Sequence, residues 1–321
     1  MNLAYLPRLL CLAFASFFLV HLAAGLAVSL VAPGAIRLAE RMRPRVAARL
    51  MLTLRLLPVG FALFVVAGLC VPSYLRLEPD AAAEPIGIVC LAAALAGIAI
   101  GGTSIARGVR AIARSIRYIR HCERTGRRTR PSVWVIDEAD PLVALAGIVH
   151  PRLIISQAVV RALSPAQLAA VLRHERAHRI AHDNLKRLFV VLAPDAFPFA
   201  RGLRGVERAW VRFAEWAADD LAVAGDSGRS LSLAAALVRV ARMSQGRQPA
   251  PVASSLLGDT ADLASRVERL LRESPVSEQT QGSLYVLAGG AVFAAAGLLA
   301  AVMLNPAALS TVHQVLEQLI Q

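Results

Sequence analysis

Lysine is almost absent from this chain of 321 residues: of its 35 basic residues only Lys186 is lysine, and the rest are arginine. Acidic residues are scarce as well, 22 in all, and the formal net charge is +13. A basic balance can mark a nucleic-acid binder. Here the arginines flank long apolar runs and no recognition motif accompanies them, a pattern that the positive-inside rule explains. Nucleic acid is therefore not an expected partner. Cysteine is sparse too: Cys11, Cys70, Cys90 and Cys122 form no C-x-x-C pair, and three of them lie in apolar runs. That excludes a disulfide framework and a cysteine-ligated zinc site. No internal repeat is present.

What the chain has in quantity is apolar sequence, 56% of its residues. Four segments are long enough to cross about 30 Å of hydrocarbon, which takes roughly 20 residues. They are Leu9 to Ile36, Leu56 to Leu75, Pro85 to Ala106 and Leu284 to Leu304. Arg37, Arg41, Arg43, Arg45 and Arg49 follow the first segment, and a run of arginines from Arg107 to Arg130 follows the third. The loop between the second and third instead carries Arg76 against Glu78, Asp80 and Glu84. The arginine-rich sides are expected in the cytoplasm, which leaves the N-terminus outside. One basic residue, Arg8, precedes the first span and five arginines follow it, which favours an uncleaved anchor over a signal peptide.

Between the third and fourth spans lies His174-Glu175-Arg176-Ala177-His178, an H-E-x-x-H motif. On a helix the two histidines lie one turn apart and can bind one zinc ion, with Glu175 placed as general base. Glu215 is a candidate third ligand, and Asp219 lies one helical turn beyond it on the same face. Asp219 could accept the N–H of a ligand histidine and fix its tautomer. Asp183 is a similar candidate, weighed against a surface role. His182 and His150 are either stabilisers of a tetrahedral oxyanion or ordinary polar residues. Two imidazoles and a carboxylate suit a single Zn²⁺.

The setting of the motif is legible. Strands are expected at Ser132 to Ile136, Leu142 to Gly147 and Arg152 to Ile155. Ser164-Pro165-Ala166-Gln167 is a capping box with proline at the first helical position, and it starts the helix that carries the motif. Helices are expected at 207–223, 230–244 and 260–272, with a loop at 245–251. Leu188 to Ala200 is apolar but short, either a buried helix or a segment dipping into the membrane surface. Arg107 to Arg120 reads as a basic amphipathic helix continuing the third span onto an anionic membrane surface, with a nucleic-acid contact as the alternative. If Arg152 to Ile155 is an edge strand, an extended peptide could pair with it.

These residues resemble a known family. Pro141, Gly147, Pro151, Leu153-Ile154-Ile155-Ser156, Leu163-Ser164, Val171-Leu172, the H-E-x-x-H motif, Asp183, Glu215, Asp219, and Leu263, Arg266 and Leu270-Leu271 are similar to the membrane zinc peptidases of the beta-lactam sensor-transducer (BlaR/MecR) type. The resemblance covers about 131–272. It implies a cytoplasmic zinc domain that cleaves itself or a regulator during signalling. The family's external penicillin-binding sensor has no counterpart in the short segment after the fourth span. Heat-shock and prenyl-protein membrane proteases share H-E-x-x-H and the Glu215-to-Asp219 pattern, and imply quality control instead. A non-catalytic, zinc-stabilised signalling or scaffold protein is the remaining alternative.

The expected fold is a mainly α integral membrane protein with four transmembrane helices and a cytoplasmic gluzincin-like α+β zinc peptidase domain. The expected division is a three-span region at 1–106, the zinc domain at 107–283, a fourth span at 284–304 and an external tail at 305–321. The expected partners are a protein or peptide substrate and the lipid bilayer, in an arrangement suited to a bacterial inner membrane. The oligomeric state is not legible.

Overall fold

The structure is a computed structural model that describes residues 5–77, 86–130, 133–138, 141–195, 201–243, 254–255 and 260–272, with a few residues between 310 and 318. The expected fourth span at 284–304 and the expected loop at 245–251 lie outside the described residues, as do most of the loop between the second and third spans and most of the tail.

The chain opens with α1 (Tyr5–Ala39) and α2 (Pro44–Val65). A π-helical turn at Val66–Cys70 joins α2 to α3 (Val71–Leu77), so that Pro44–Leu77 forms one continuous rod. Then comes α4 (Ile88–Thr125). These three rods are each long and apolar enough to cross a membrane. α1 buries Leu12, Ala15 and Ser16 on one face of its first half, and Gly25, Val28 and Ala32 on another face of its second half. Away from these faces Leu10 and Phe14 in the first half and Leu30 in the second are exposed, as suits a helix facing lipid. α1 and α4 approach closely at Gly97, where an added Cβ would lie 2.4 Å from the Phe14 carbonyl oxygen. Backbone cannot yield as a flexible side chain can, so Gly97→Ala is expected to push the helices apart and cost about 1–3 kcal/mol. A thermal melt in detergent checks this, and an unchanged midpoint would contradict the packing.

After the apolar stretch α4 continues as the expected basic helix. It runs on unbroken to Thr125 and covers a sheet. That sheet contains β1 (Gly126–Arg130), β2 (Val133–Ile136), β3 (Val143–Ala146), β4 (Arg152–Ser156) and β5 (Ser254–Ser255), in the order β1-β2-β4-β3-β5. β2 and β4 are parallel, and the other pairs are antiparallel. Side chains alternate between the faces with period two. Ile136, Ala146 and Ile154 pack with Cys122, Tyr118 and Ile119 of α4. Val143 and Ile155 face the opposite way, toward the helices that follow.

The sheet corrects one expectation. Arg152 to Ile155 is not an edge: β4 has β2 on one side and β3 on the other, so its backbone groups are already paired. The expectation missed the crossover that sets β2 beside β4 while β3, between them in sequence, pairs on the far side. An extended substrate has no free edge to pair with at Arg152 to Ile155. The edge at β1 carries exposed Arg127 and Arg128, and charge of this kind discourages pairing with another chain.

The remaining helices are α5 (Gln157–Ala162), α6 (Pro165–Ala181), α7 (Asp183–Leu192), α8 (Arg201–Val223), α9 (Ser227–Met243) and α10 (Thr260–Leu271). The Ser164 hydroxyl accepts from the Gln167 amide at 3.3 Å, and the Gln167 side chain accepts from the Ser164 amide at 3.0 Å, which completes the capping box that starts α6. α6 stops at His182, whose φ of 55° is left-handed and lets α7 leave at once in a new direction. α8 begins against α1, where a Cβ added at Gly202 would lie 2.6 Å from the Ser29 Cα. Further along, Val206, Ala209, Trp210 and Phe213 of α8 pack with Ala32, Ala39, Ala47 and Met51 of α1 and α2. The apolar run from Leu188 divides accordingly. Leu188 to Leu192 completes α7, Ala193 to Asp195 reaches the span helices, and 196–200 lies outside the described residues.

Candidate metal centre

α6 and α8 cross with their polar residues facing each other. α6 supplies His174, Glu175 and His178, and α8 supplies Glu215 and Asp219, all of them buried. One ligand atom from each of His174, His178 and Glu215 lies within 4.8 Å of the others. The Nε2 atoms of the two histidines are 3.1 Å apart. Glu215 Oε2 lies 3.4 Å from His174 Nε2, and Glu215 Oε1 lies 3.5 Å from His178 Nε2. Ligands bound tetrahedrally at about 2.0–2.1 Å are separated by roughly 3.3 Å. The three spacings are close to that edge length.

The outer nitrogen of each ring meets a carboxylate. His178 Nδ1 lies 2.7 Å from Asp183 Oδ2, and His174 Nδ1 lies 2.9 Å from Asp219 Oδ1. The first is a well-aligned hydrogen bond. The second is off the ring N–H direction and acts chiefly as charge pairing. A carboxylate at Nδ1 holds the proton there and leaves the Nε2 lone pair free. Two such lone pairs 3.1 Å apart repel unless a cation lies between them. Both oxygens of Glu175 are buried without a hydrogen-bond partner, a costly state for a carboxylate unless a water or metal-bound group reaches it. The donor set therefore fits a zinc ion.

Arg266 of α10 closes the centre from the far side. It is 1% exposed. Its Nε and one terminal nitrogen donate to Asp219 at 2.8 and 2.7 Å, while the other terminal nitrogen lies 3.1 Å from Glu215 Oε2. Lys186 donates to Asp183 at 2.8 Å. Asn184 donates to the carbonyls of Leu145 and Gly147 at 2.9 and 2.7 Å, tying the start of α7 to the end of β3.

The electrostatics follow from this crowding. Burial opposes charge on every group, but pairing overrides it. Burial would raise Glu215, yet His178 and Arg266 hold its carboxyl well below the usual range. Asp219 is held down at about 2, against burial, chiefly by the Arg266 charge. Burial would lower His178, but the Glu215 charge and the Asp183 hydrogen bond raise it to about 10. Glu175 has no hydrogen-bond partner in the centre, and burial pushes its carboxyl upward despite the neighbouring histidines. The centre thus demands positive charge at the histidine Nε2 atoms, which a proton or a metal ion can supply.

Residues 110–248 match the family model of Peptidase family M48. That stretch is similar to the metallopeptidases of that family, and the match supports a metallopeptidase domain there. No curated protein and no solved structure gives a significant match. The M48 region contains α6 and α8, and so every residue of the three-ligand cluster, but it ends before Arg266. Of the residues singled out in the sequence, the structure brings His174, Glu175, His178, Glu215, Asp219 and Asp183 together. It does not bring in His182 or His150, which are exposed beyond α6 and in the turn after β3. Arg266 entered only among the residues of the family resemblance, without a role, and Lys186 and Asn184 were given none. For Arg266 a signal existed: it shares the apolar stripe of α10 with Leu263, Val267 and Leu270, where an arginine needs a buried partner. Two cavities flank the centre. One of about 340 Å³ between α2, α6 and α8 reaches Asp183. Another of about 640 Å³ between α4, α7 and α8 reaches Arg187, whose guanidinium is 3.9 Å from Glu215.

Proposed function

We propose that the chain is an integral-membrane zinc endopeptidase that cleaves protein substrates, a regulator or itself, at the cytoplasmic face. The observation that carries the reading is the buried cluster of His174, His178 and Glu215, with Glu175 beside it lacking a hydrogen-bond partner. His174, His178 and Glu215 are the ligands. A zinc ion held there would activate a water and polarise the scissile carbonyl. Glu175 accepts the proton of the attacking water and returns it to the leaving amine. Asp219 and Asp183 hold the two imidazoles by their Nδ1 atoms, and Arg266 holds Asp219 and Glu215 in turn. The proposed layout keeps 1–106 as the three-span region, 107–283 as the zinc domain, a fourth span at 284–304 and an external tail at 305–321, with the N-terminus outside.

The resemblance to the sensor-transducer type supports a place in signalling. Quality control, the role that the similarity to the heat-shock type implies, is the second reading. The stretch between the two motifs is not free of the spans: Pro194 O lies 3.2 Å from His21 of α1, and Asp195 pairs with Arg55 of α2 at 2.8 Å. Either role rests on the same chemistry. Glu175→Gln is expected to leave one zinc bound and to lower cleavage of casein or of the chain itself about 10²–10⁴-fold. Metal content and cleavage are measured on the same detergent-purified samples. Zinc in both proteins with undiminished cleavage in the variant would remove Glu175 from the chemistry. Zinc in both with cleavage in neither would favour a scaffold.

A further inference from the structure

Three rods meet one rung of polar contacts. Asp195 pairs with Arg55 of α2 at 2.8 Å and with Arg107 of α4 at 3.4 Å. Both arginines also donate to the Ala193 carbonyl, at 3.4 and 3.3 Å, and His21 of α1 contacts the adjoining Pro194 carbonyl at 3.2 Å. On one side of this rung α4 carries no charge from Ile88 to Ala106, a rise of roughly 28 Å, which matches the hydrocarbon core of a bilayer. On that side Ile88, Val89, Leu95 and Ile105 are well exposed. On the other side α4 carries Arg107, Arg110, Arg114, Arg117 and Arg120. Along α2 and α4 the rung marks the end of the uncharged stretch, while α1 stays apolar from His21 on to Ile36.

The larger cavity opens at that level. Arg107, Arg110, Arg114 and Arg187 line it, and among the described residues Glu207 is the one acidic residue in its lining. Glu207 in turn faces Arg55 at 3.5 Å, so its charge is shared. Leu188, Val191 and Val211 supply an apolar flank beside the arginines. The volume of about 640 Å³ is that of an ordinary ligand site. Guanidinium forks suit phosphate oxygens, and an apolar flank beside them suits the first methylenes of an acyl chain.

We infer that this cavity binds the phosphate headgroup of an anionic phospholipid, held by Arg107, Arg110, Arg114 and Arg187. The inference rests on the membrane placement proposed above, and not on the peptidase chemistry. Arg187 links the bound headgroup to the metal centre, because the same guanidinium faces Glu215. A phosphate drawing Arg187 outward changes the field at a metal ligand, so headgroup occupancy is coupled to the site.

The test is native mass spectrometry of the full chain in detergent with added phosphatidylglycerol or phosphatidylcholine. Wild type is expected to retain one phosphatidylglycerol and to release phosphatidylcholine. Arg110→Ala with Arg114→Ala is expected to weaken retention roughly thirty-fold, while Arg117→Ala with Arg120→Ala, on the same helix but outside the cavity, changes it little. Equal loss in both pairs would show general surface attraction and overturn the site. Displacement by glycerol phosphate at equal concentration would identify a free phosphate ester as the ligand and overturn the lipid. Displacement by an acidic peptide would make the cavity a substrate subsite. No readout uses cleavage, and carbonate extraction of membranes tests the membrane placement separately.

Discussion

Replacing Arg266 by methionine is expected to cost about 3–5 kcal/mol and to lower zinc content together. The side chain is 1% exposed and answers two buried carboxylates at once, Asp219 through a fork and Glu215 through its third nitrogen. Methionine fills similar volume, so the loss is not a cavity effect. It leaves two buried negative charges with only the histidines to face them, and Asp219 is then free to swing away from His174. For a region of this size the cost corresponds to a fall of roughly 6–20 °C in the melting midpoint. Arg266→Lys keeps the charge but not the fork, because an ammonium cannot meet both oxygens of Asp219 in plane while reaching Glu215. It is expected to fall between wild type and methionine in both readouts. Thermal melts in detergent and metal analysis on the same preparations decide the matter. A methionine variant with wild-type midpoint and full zinc would show that the arginine does not organise the centre.

Geometry was legible in the sequence where one periodicity or one spacing specifies it. H-E-x-x-H on a capped helix places His174 and His178 one turn apart whatever surrounds them, and Ser164 with Gln167 marks the start of that helix. Glu215 and Asp219 are one turn apart for the same reason, so a single crossing of α6 and α8 brings all four into register. Three apolar rods followed from uninterrupted composition. What failed to be legible depends on partners distant in sequence. β4 looked like a free strand because nothing local states that β2 pairs beside it across the crossover. Arg266 lies 47 residues from Asp219, beyond a stretch of mixed composition, and only its place on an apolar stripe hinted at burial. α8 was expected to begin at residue 207. Six earlier residues join it because Gly202 and Leu203 pack against α1, a contact that no local propensity encodes.

The two aspartates behind the histidines should separate metal affinity from fold stability. Asp183 hydrogen-bonds one imidazole at Nδ1 at 2.7 Å, and Asp219 pairs by charge with Nδ1 of the other at 2.9 Å. Removing such a partner typically weakens metal binding by about 10–100-fold, because the ring loses its preferred tautomer and orientation. Their other neighbours differ. Asp183 is paired otherwise with Lys186, whose side chain is 32% exposed and can turn to water. Asp219 is paired otherwise with Arg266, which has no water to turn to. Asp183→Asn is therefore expected to weaken zinc within that range while leaving the zinc-saturated midpoint within a few degrees of wild type. Asp219→Asn is expected to weaken zinc comparably and also to lower the saturated midpoint, since it strips a buried guanidinium of its fork. Zinc titration against a competing chelator gives the first quantity, and melts in excess zinc give the second. If both variants lost affinity and saturated stability equally, the centre would be one inseparable network, and the distinct role given to Arg266 would be wrong. If neither lost affinity, the imidazoles would be held by their helix and not by these carboxylates.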